Sequence, residues 1–298
     1  MKAKEKEDVL MKLSDIHIRD PFILAENGVY YLYGTRGAET WGDSYGFDVY
    51  VSRDLVEFSD PIPCFTPPAD FWSTRNFWAP EVHRYEGKYY MFASFISDTR
   101  KRGTQILVSD SPLGPFLPHS DGPVTPALWN CLDGTLYIED GGPYMIYCRE
   151  WKQPEEEIIG EMHAIKLSHD LTHAVGEPIF LFKATDPSWV PADRKRCFVT
   201  DGPFVYRTKS GKPLLLWSSF GTGGYLEAIS YPENGKLTDR WIHEEKPLFS
   251  QNGGHGMIFR TNEGELRFIY HTPNQTPDER PAFLALVEEN DRLLEQNV

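Results

Sequence analysis

No apolar stretch in the chain approaches the roughly 20 residues that a membrane-spanning helix requires. The opening residues MKAKEKEDVLMKLSD lack the apolar core of a signal peptide, so the expected location is the cytoplasm. Basic residues are in short supply. The 30 Lys and Arg against 44 Asp and Glu give a formal net charge of −14, which argues against nucleic acid or an anionic membrane as the main partner. The basic triplet Arg194, Lys195 and Arg196 is too small to reverse that balance. Only four cysteines occur, Cys64, Cys131, Cys148 and Cys197, too few for a disulfide framework and without zinc-site spacing. They read as buried free thiols, with Cys131 and Cys148 on paired strands. The histidines show no HExxH spacing. No glycine-rich phosphate loop leads into a helix, which leaves a nucleotide-dependent enzyme without support. Few segments carry helical periodicity.

What the chain has instead is a phrase repeated five times: a small motif rich in Asp, Pro or Gly, a strand, a tight glycine turn and an aromatic second strand. The copies are RDPFILAENGVYYLYGT from Arg19, WAPEVHRYEGKYYMFAS from Trp78, LDGTLYIEDGGPYMIYC from Leu132, DGPFVYRTKSGKPLLLWSS from Asp201 and GHGMIFRTNEGELRFIYH from Gly254. Their turn glycines, Gly28, Gly87, Gly142, Gly211 and Gly264, are 59, 55, 69 and 53 residues apart, about the length of four short strands and their loops. A unit this short cannot bury its apolar face alone, so five copies predict stacking around an axis. Third strands are visible at FDVYVS, TQILVS, MHAIKLS, YLEAIS and FLALVEE. The expected fold is all-β: a five-bladed β-propeller with four antiparallel strands per blade. It forms one domain over residues 1–298, with blades beginning near Asp15, Trp78, Leu132, Asp201 and Gly254. A two-sheet sandwich also uses many short strands but needs no fivefold similarity. Trp217 and Trp241 are expected to pack between blades.

In a propeller, the starts of the innermost strands and the ends of the second strands share one end of the axis. Asp20, Asp133 and Asp201 should therefore converge there with Ser94, Glu150, Ser218 and His271. Neighbouring carboxylates raise one another's pKa, so a funnel of them is costly unless they are paired, hydrogen-bonded or used. The arrangement suits glycoside hydrolysis, in which one carboxylate activates water and a carboxylic acid protonates the leaving oxygen.

Taken together, RDPFI with Asp20, WAPEV with Trp78, LDGTLY with Asp133, DGPF with Asp201 and GGHGM with His255 resemble glycoside hydrolase family 43, from about Asp15 to the carboxyl terminus. That resemblance implies an inverting glycosidase acting on arabinose- or xylose-containing plant oligo- or polysaccharides, of the α-L-arabinofuranosidase or β-xylosidase type. It makes Asp20 the general base and Asp133 the aspartate that tunes and orients the acid. The family usually has Glu-Gly-Pro where this chain has Asp201-Gly202-Pro203. The acid is thus shorter by about 1.5 Å, one carbon–carbon bond. Three readings stay open: Asp201 is the acid on an advanced backbone, Glu150 in CREW replaces it, or hydrolysis is lost and the propeller binds carbohydrate only. A salt bridge from Glu150 to Arg149 or Lys152 is the plainer reading of that glutamate. No cofactor is required; the resemblance allows a calcium ion near His255 without demanding one.

Sugar sites also need an aromatic surface for the CH face of the ring. Trp78 is the first candidate and Trp151 the second, while Trp41 and Trp189 lie in loops that could reach the pocket. Inserts around Asp70 and Trp189 could wall that pocket off, which favours an exo-acting enzyme.

Overall fold

A computed structural model describes residues 10–150, 159–191 and 198–296. Five antiparallel sheets follow one another in chain order. Their first strands are Ile18–Glu26, Arg75–Tyr85, Cys131–Glu139, Asp201–Arg207 and Gly254–Arg260. Each pairs with the next strand in sequence, and four sheets hold four strands in the order in which the chain makes them. This is the five-bladed propeller that the repeat predicts. Blade one carries more: Met11–Lys12 pairs with Glu57–Phe58, and Ile62–Phe65 also pairs with Phe47–Ser52. Asp15 sits in a single 3-10 turn, Leu13–Asp15, ahead of the first inner strand and not at its start.

Local chemistry explains the hairpins. Asn27-Gly28, Glu86-Gly87 and Asp140-Gly141 all have positive φ at both residues, the two-residue turn that matches strand twist. The turn glycine of blade three is therefore Gly141, and Gly142 opens the second strand instead. Second strands read almost continuously apolar because both of their faces are covered. In Lys88–Ile96, the seven residues from Tyr89 to Phe95 are buried. The core lies between adjacent blades. Phe95 meets Phe47, Phe65, Phe71 and Phe77 at centroid distances of 4.8 to 6.1 Å, so its truncation to Ala should cost about 3–5 kcal/mol. Trp217 and Trp241 both pack on Phe182, between blades three and four. Trp189 joins them by stacking on Trp217, and so belongs to this core and not to a pocket. Cys64, Cys131 and Cys148 are buried free thiols. Among the described residues no helix is long and apolar enough to cross a membrane.

Candidate active site

Each inner strand begins with one residue in the left-handed region, at a break in the pairing register. These are Asp20, Ala79, Asp133, Gly202 and His255, with φ of 54, 46, 55, 48 and 48°. Asp and His tolerate that conformation better than most residues, whereas Ala must be held in it. What holds them is a repeated contact between blades. The backbone N–H of Ala79 donates to Thr35 Oγ1 (2.8 Å), that of Asp133 to Ser94 Oγ (2.8 Å) and that of His255 to Ser218 Oγ (2.6 Å). Around the ring seam, Asp20 N–H donates to His271 Nδ1 (3.2 Å). Blade three offers only Cys148 at the corresponding place, and Gly202 N–H turns to Asp133 Oδ2 at 3.4 Å.

The three aspartates converge as expected, but in two different registers. Asp20 and Asp133 share the left-handed slot, but Asp201 stands one residue ahead of it, with Gly202 inside. A Cβ at Gly202 would lie 2.5 Å from Cδ2 of the His255 ring. The histidine leaves no room for a side chain there, and the acid on blade four is displaced by one position.

These strand starts line a cavity of about 400 Å³ at the axis. Arg19, Asp20, Trp78, Asp133, Asp201 and His255 come from the five inner strands, and Trp41, Arg102, Asn130 and Glu150 from the loops around them. All of the expected site residues within the described part of the chain meet here; Trp151 lies outside it. The insert around Asp70 does not line the cavity. Phe71 and Trp72 pack on the blade-two core, and Trp72 Nε1 donates to Gln105 Oε1. A second cavity of similar volume, between the outer parts of blades four and five, holds none of the axial groups.

The carboxyl groups differ sharply in their surroundings. Asp20 Oδ1 accepts from Arg19 Nε (3.1 Å) and Oδ2 from Thr35 Oγ1 (2.7 Å). Burial alone would raise its pKa, but the Arg19 guanidinium, then His255 and His271, hold it well below the usual carboxylate range. Arg19 is kept protonated chiefly by Asp20 against the opposing effect of burial, and its Nη1 reaches buried Glu279 at 3.4 Å. Burial, followed by the charge on Arg19, pushes the His271 imidazole down to about 3. A neutral ring suits its contacts, with Nδ1 accepting from Asp20 and Nε2 donating to Asn274 Oδ1. Asp133 is the opposite case. Burial, then the charge of the facing Asp201 and a hydrogen bond shared with it, raise its pKa well above the usual range.

Asp201 Oδ2 accepts from the buried Tyr225 hydroxyl at 2.6 Å. The Asp201 side chain is 15% exposed against 3% for Asp133, so it is the member of the pair that a ligand can reach. His255 Nδ1 lies 3.2 Å from Asp20 Oδ1, 3.8 Å from Asp201 Oδ1 and 4.0 Å from Asp133 Oδ2, yet bonds to none at hydrogen-bonding angles. Those Asp20 and Asp201 oxygens can be no farther apart than the first two distances combined, which confines them to the short end of the ~6.5–9.5 Å used by inverting glycosidases or below it. Glu150 is bound to the Arg102 guanidinium in a buried pair, not to Arg149, which pairs with Glu161.

Sequence reasoning missed Glu227, fully buried in Gly224–Pro232, whose Oε2 accepts from Ser218 Oγ (2.6 Å) and Gly256 N–H (3.4 Å). It braces the turn that carries His255. A lone acid in the otherwise apolar run YLEAIS was the available signal.

As possible metal donors, Asp133, Asp201 and His255 each offer an atom within 4.8 Å of the others. Two carboxylates and one imidazole fall well short of the six to eight oxygens that calcium takes. These three side chains alone do not fill a calcium shell, and an ion held there would draw its remaining ligands from water.

The model of the glycosyl hydrolases family 43 matches residues 14–291. The chain belongs to that family. Over 95% of its length and 99% of the other chain, it superposes with a TM-score of 0.85 and 38% identity on an endo-arabinase from Bacteroides thetaiotaomicron. It is 28% identical to a xylosidase/arabinosidase from Bacteroides ovatus over 54% of this chain and 58% of that protein. With an extracellular endo-α-(1→5)-L-arabinanase from Bacillus subtilis it shares 27% identity over 45% of this chain and 44% of the other. The chain thus spans about half the length of the curated relatives it matches.

Proposed function

We propose that the protein is an inverting glycoside hydrolase that cleaves pentose linkages in arabinose- or xylose-containing oligo- or polysaccharides. The observation that carries this reading is a single pocket holding one carboxylate, Asp20, ion-paired with an arginine, and beside it two facing carboxyl groups, Asp133 and Asp201. Asp20 takes a proton from water as the water oxygen attacks the anomeric carbon. The glycosidic C–O bond breaks, and the leaving oxygen takes the proton from Asp201. Asp133 supports that acid because the pair resists holding two charges. Asp20 then releases its proton to solvent and Asp201 is reprotonated. Glu150 is a poor donor because using it would break its buried pair with Arg102, and such disruptions cost about 3–5 kcal/mol. Among the described residues, the inserts around Asp70 and Trp189 do not line the pocket, which supports oligosaccharides over single sugars as substrates. The names of the relatives, endo-arabinase and xylosidase/arabinosidase, support pentosides as the first class to test.

Hydrolysis of aryl α-L-arabinofuranoside, aryl β-D-xyloside, linear arabinan and xylo-oligosaccharides should be followed for wild type, Asp20→Asn, Asp201→Ala and Glu150→Ala, with the product anomer read by NMR. The reading expects inversion and loss of activity in Asp20→Asn and Asp201→Ala. An active Asp201→Ala beside an inactive Glu150→Ala would move the acid to Glu150. Binding of pentose oligosaccharides without any turnover would make the protein a carbohydrate-binding propeller derived from the family.

A further inference from the structure

The tryptophan expected to be the sugar platform is already occupied. The Arg102 guanidinium lies 3.6 Å above the Trp78 ring centroid, and Trp41 meets the same indole edge to face at 5.3 Å and 80°. Trp78 Nε1–H donates to the Thr40 carbonyl at 2.6 Å. Arg102 is in turn fixed by Glu150 and is itself 92% buried, so it cannot swing aside without stranding a charge. The face that Arg102 covers is closed to a sugar ring.

Trp41 is different. It lines the same cavity, yet 65% of its surface faces solvent. An exposed indole is ordinarily free to move, but Trp41 Nε1–H donates to Thr276 Oγ1 at 3.0 Å. Thr276 Oγ1 donates to Glu279 Oε1 at 2.7 Å, and Glu279 accepts from Arg19, the partner of Asp20. The ring is therefore held rigid and wet at the pocket mouth, registered through three side chains on the group proposed as the base. Holding an apolar face exposed and immobile in this way fits a ligand that stacks on it.

We propose that Trp41 is the stacking platform for the sugar next along the chain from the one held between Asp20 and Asp201, making the protein selective for pentose oligosaccharides over single glycosides. The inference rests on the pentosidase reading for the chemistry of its ligand, while the platform itself is tested by binding. Trp78 then serves as the wall that sets the Trp41 angle, with Arg102 as its backing.

The test measures kcat and KM on a linear arabino- or xylo-oligosaccharide and on the methyl pentoside of the same sugar, for wild type, Trp41→Ala, Trp41→Phe and Tyr45→Ala. Tyr45 is 68% exposed in the same loop but does not line the cavity, so it serves as the control. Calorimetric titration of the oligosaccharide into the same variants carrying Asp201→Ala gives affinity without turnover. Trp41→Ala should raise the oligosaccharide KM and Kd roughly tenfold, a clearly larger loss than on the methyl pentoside. Trp41→Phe should recover most of the affinity, and Tyr45→Ala should match wild type. Unchanged oligosaccharide affinity in Trp41→Ala overturns the proposal, as do equal losses on both substrates or an equal loss in Tyr45→Ala. Affinity that depends on Trp41 in a protein that hydrolyses nothing sinks the hydrolase reading and keeps the platform. Turnover indifferent to Trp41 does the reverse, and a protein that binds no pentose oligosaccharide sinks both.

Discussion

Asp20 and Asp133 occupy the same left-handed position on blades one and three, and both are almost fully buried. Their backbones are held alike, by an amide hydrogen bond to the blade before. The groups around their carboxyls are not alike. Asp20 faces an arginine and a threonine hydroxyl, whereas Asp133 faces another aspartate. One scaffold position therefore yields a carboxyl held charged by an arginine and another whose proton is favoured by burial and a neighbouring acid. The lesson is that the repeat fixes where an acid stands, and its neighbours decide what the acid can do.

Breaking the charged half should have the largest effect. Asp20→Asn removes the base and leaves Arg19 without its nearest counter-charge. Turnover should fall by about 10³-fold, within the range for lost general-base catalysis, and urea denaturation should show a loss of about 3 kcal/mol. The sign of the pH effect follows from the lowered pKa: Asp20 stabilises the fold above pH ~4, and that contribution fades as pH falls toward its folded value. The stability gap between wild type and Asp20→Asn should accordingly narrow in acid.

Breaking the protonated half should hurt catalysis and help the fold. In Asp133→Asn, turnover should drop by about 10²-fold, and the alkaline limb of the pH–rate profile should move to lower pH, because the like charge that keeps a proton in the pair is gone. Melting temperature at pH 7 should rise by several degrees. Asp133 has a raised folded pKa, so its ionisation opposes folding above the unfolded value near 4, and below that the penalty disappears. A thermal melt of the variant at pH 3 should show no gain over wild type.

Gly202→Ala sharpens the comparison by challenging the empty slot on blade four. The new methyl must push back the His255 ring, at a cost of about 1–3 kcal/mol and with a smaller loss of turnover than either aspartate variant gives. Ser94→Ala is the mildest change. It takes an acceptor from the Asp133 amide and a donor from its Oδ1, and should lower stability by about 1 kcal/mol on chemical denaturation.

The propeller was legible because its hairpins repeat at blade length, and Asp20, Asp133 and His255 because each sits beside Pro or Gly at the same point of the phrase. The displaced register of Asp201 stands in the sequence, since aligning DGPF with RDPF by their prolines puts Gly202 opposite Asp20. What that alignment does not show is its cause, that His255 of the next blade fills the space where a side chain at position 202 would go. The covering of Trp78 by Arg102 was equally hidden, since the arginine lies in a loop with no motif and reaches the ring only after blade two has folded. Arg19 was in plain view within RDPFI, yet its hold on Asp20 and Glu279 depends on the close of the ring.

That close has a temporal side. The amide of Asp20 is held by His271, a residue 251 positions later in the chain. An aspartate on the first blade must wait for the fifth before its backbone is fixed. Shortened chains that stop before His271 would carry every proposed carboxylate and still lack a positioned base, so the seam acts as an assembly check: no complete ring, no chemistry.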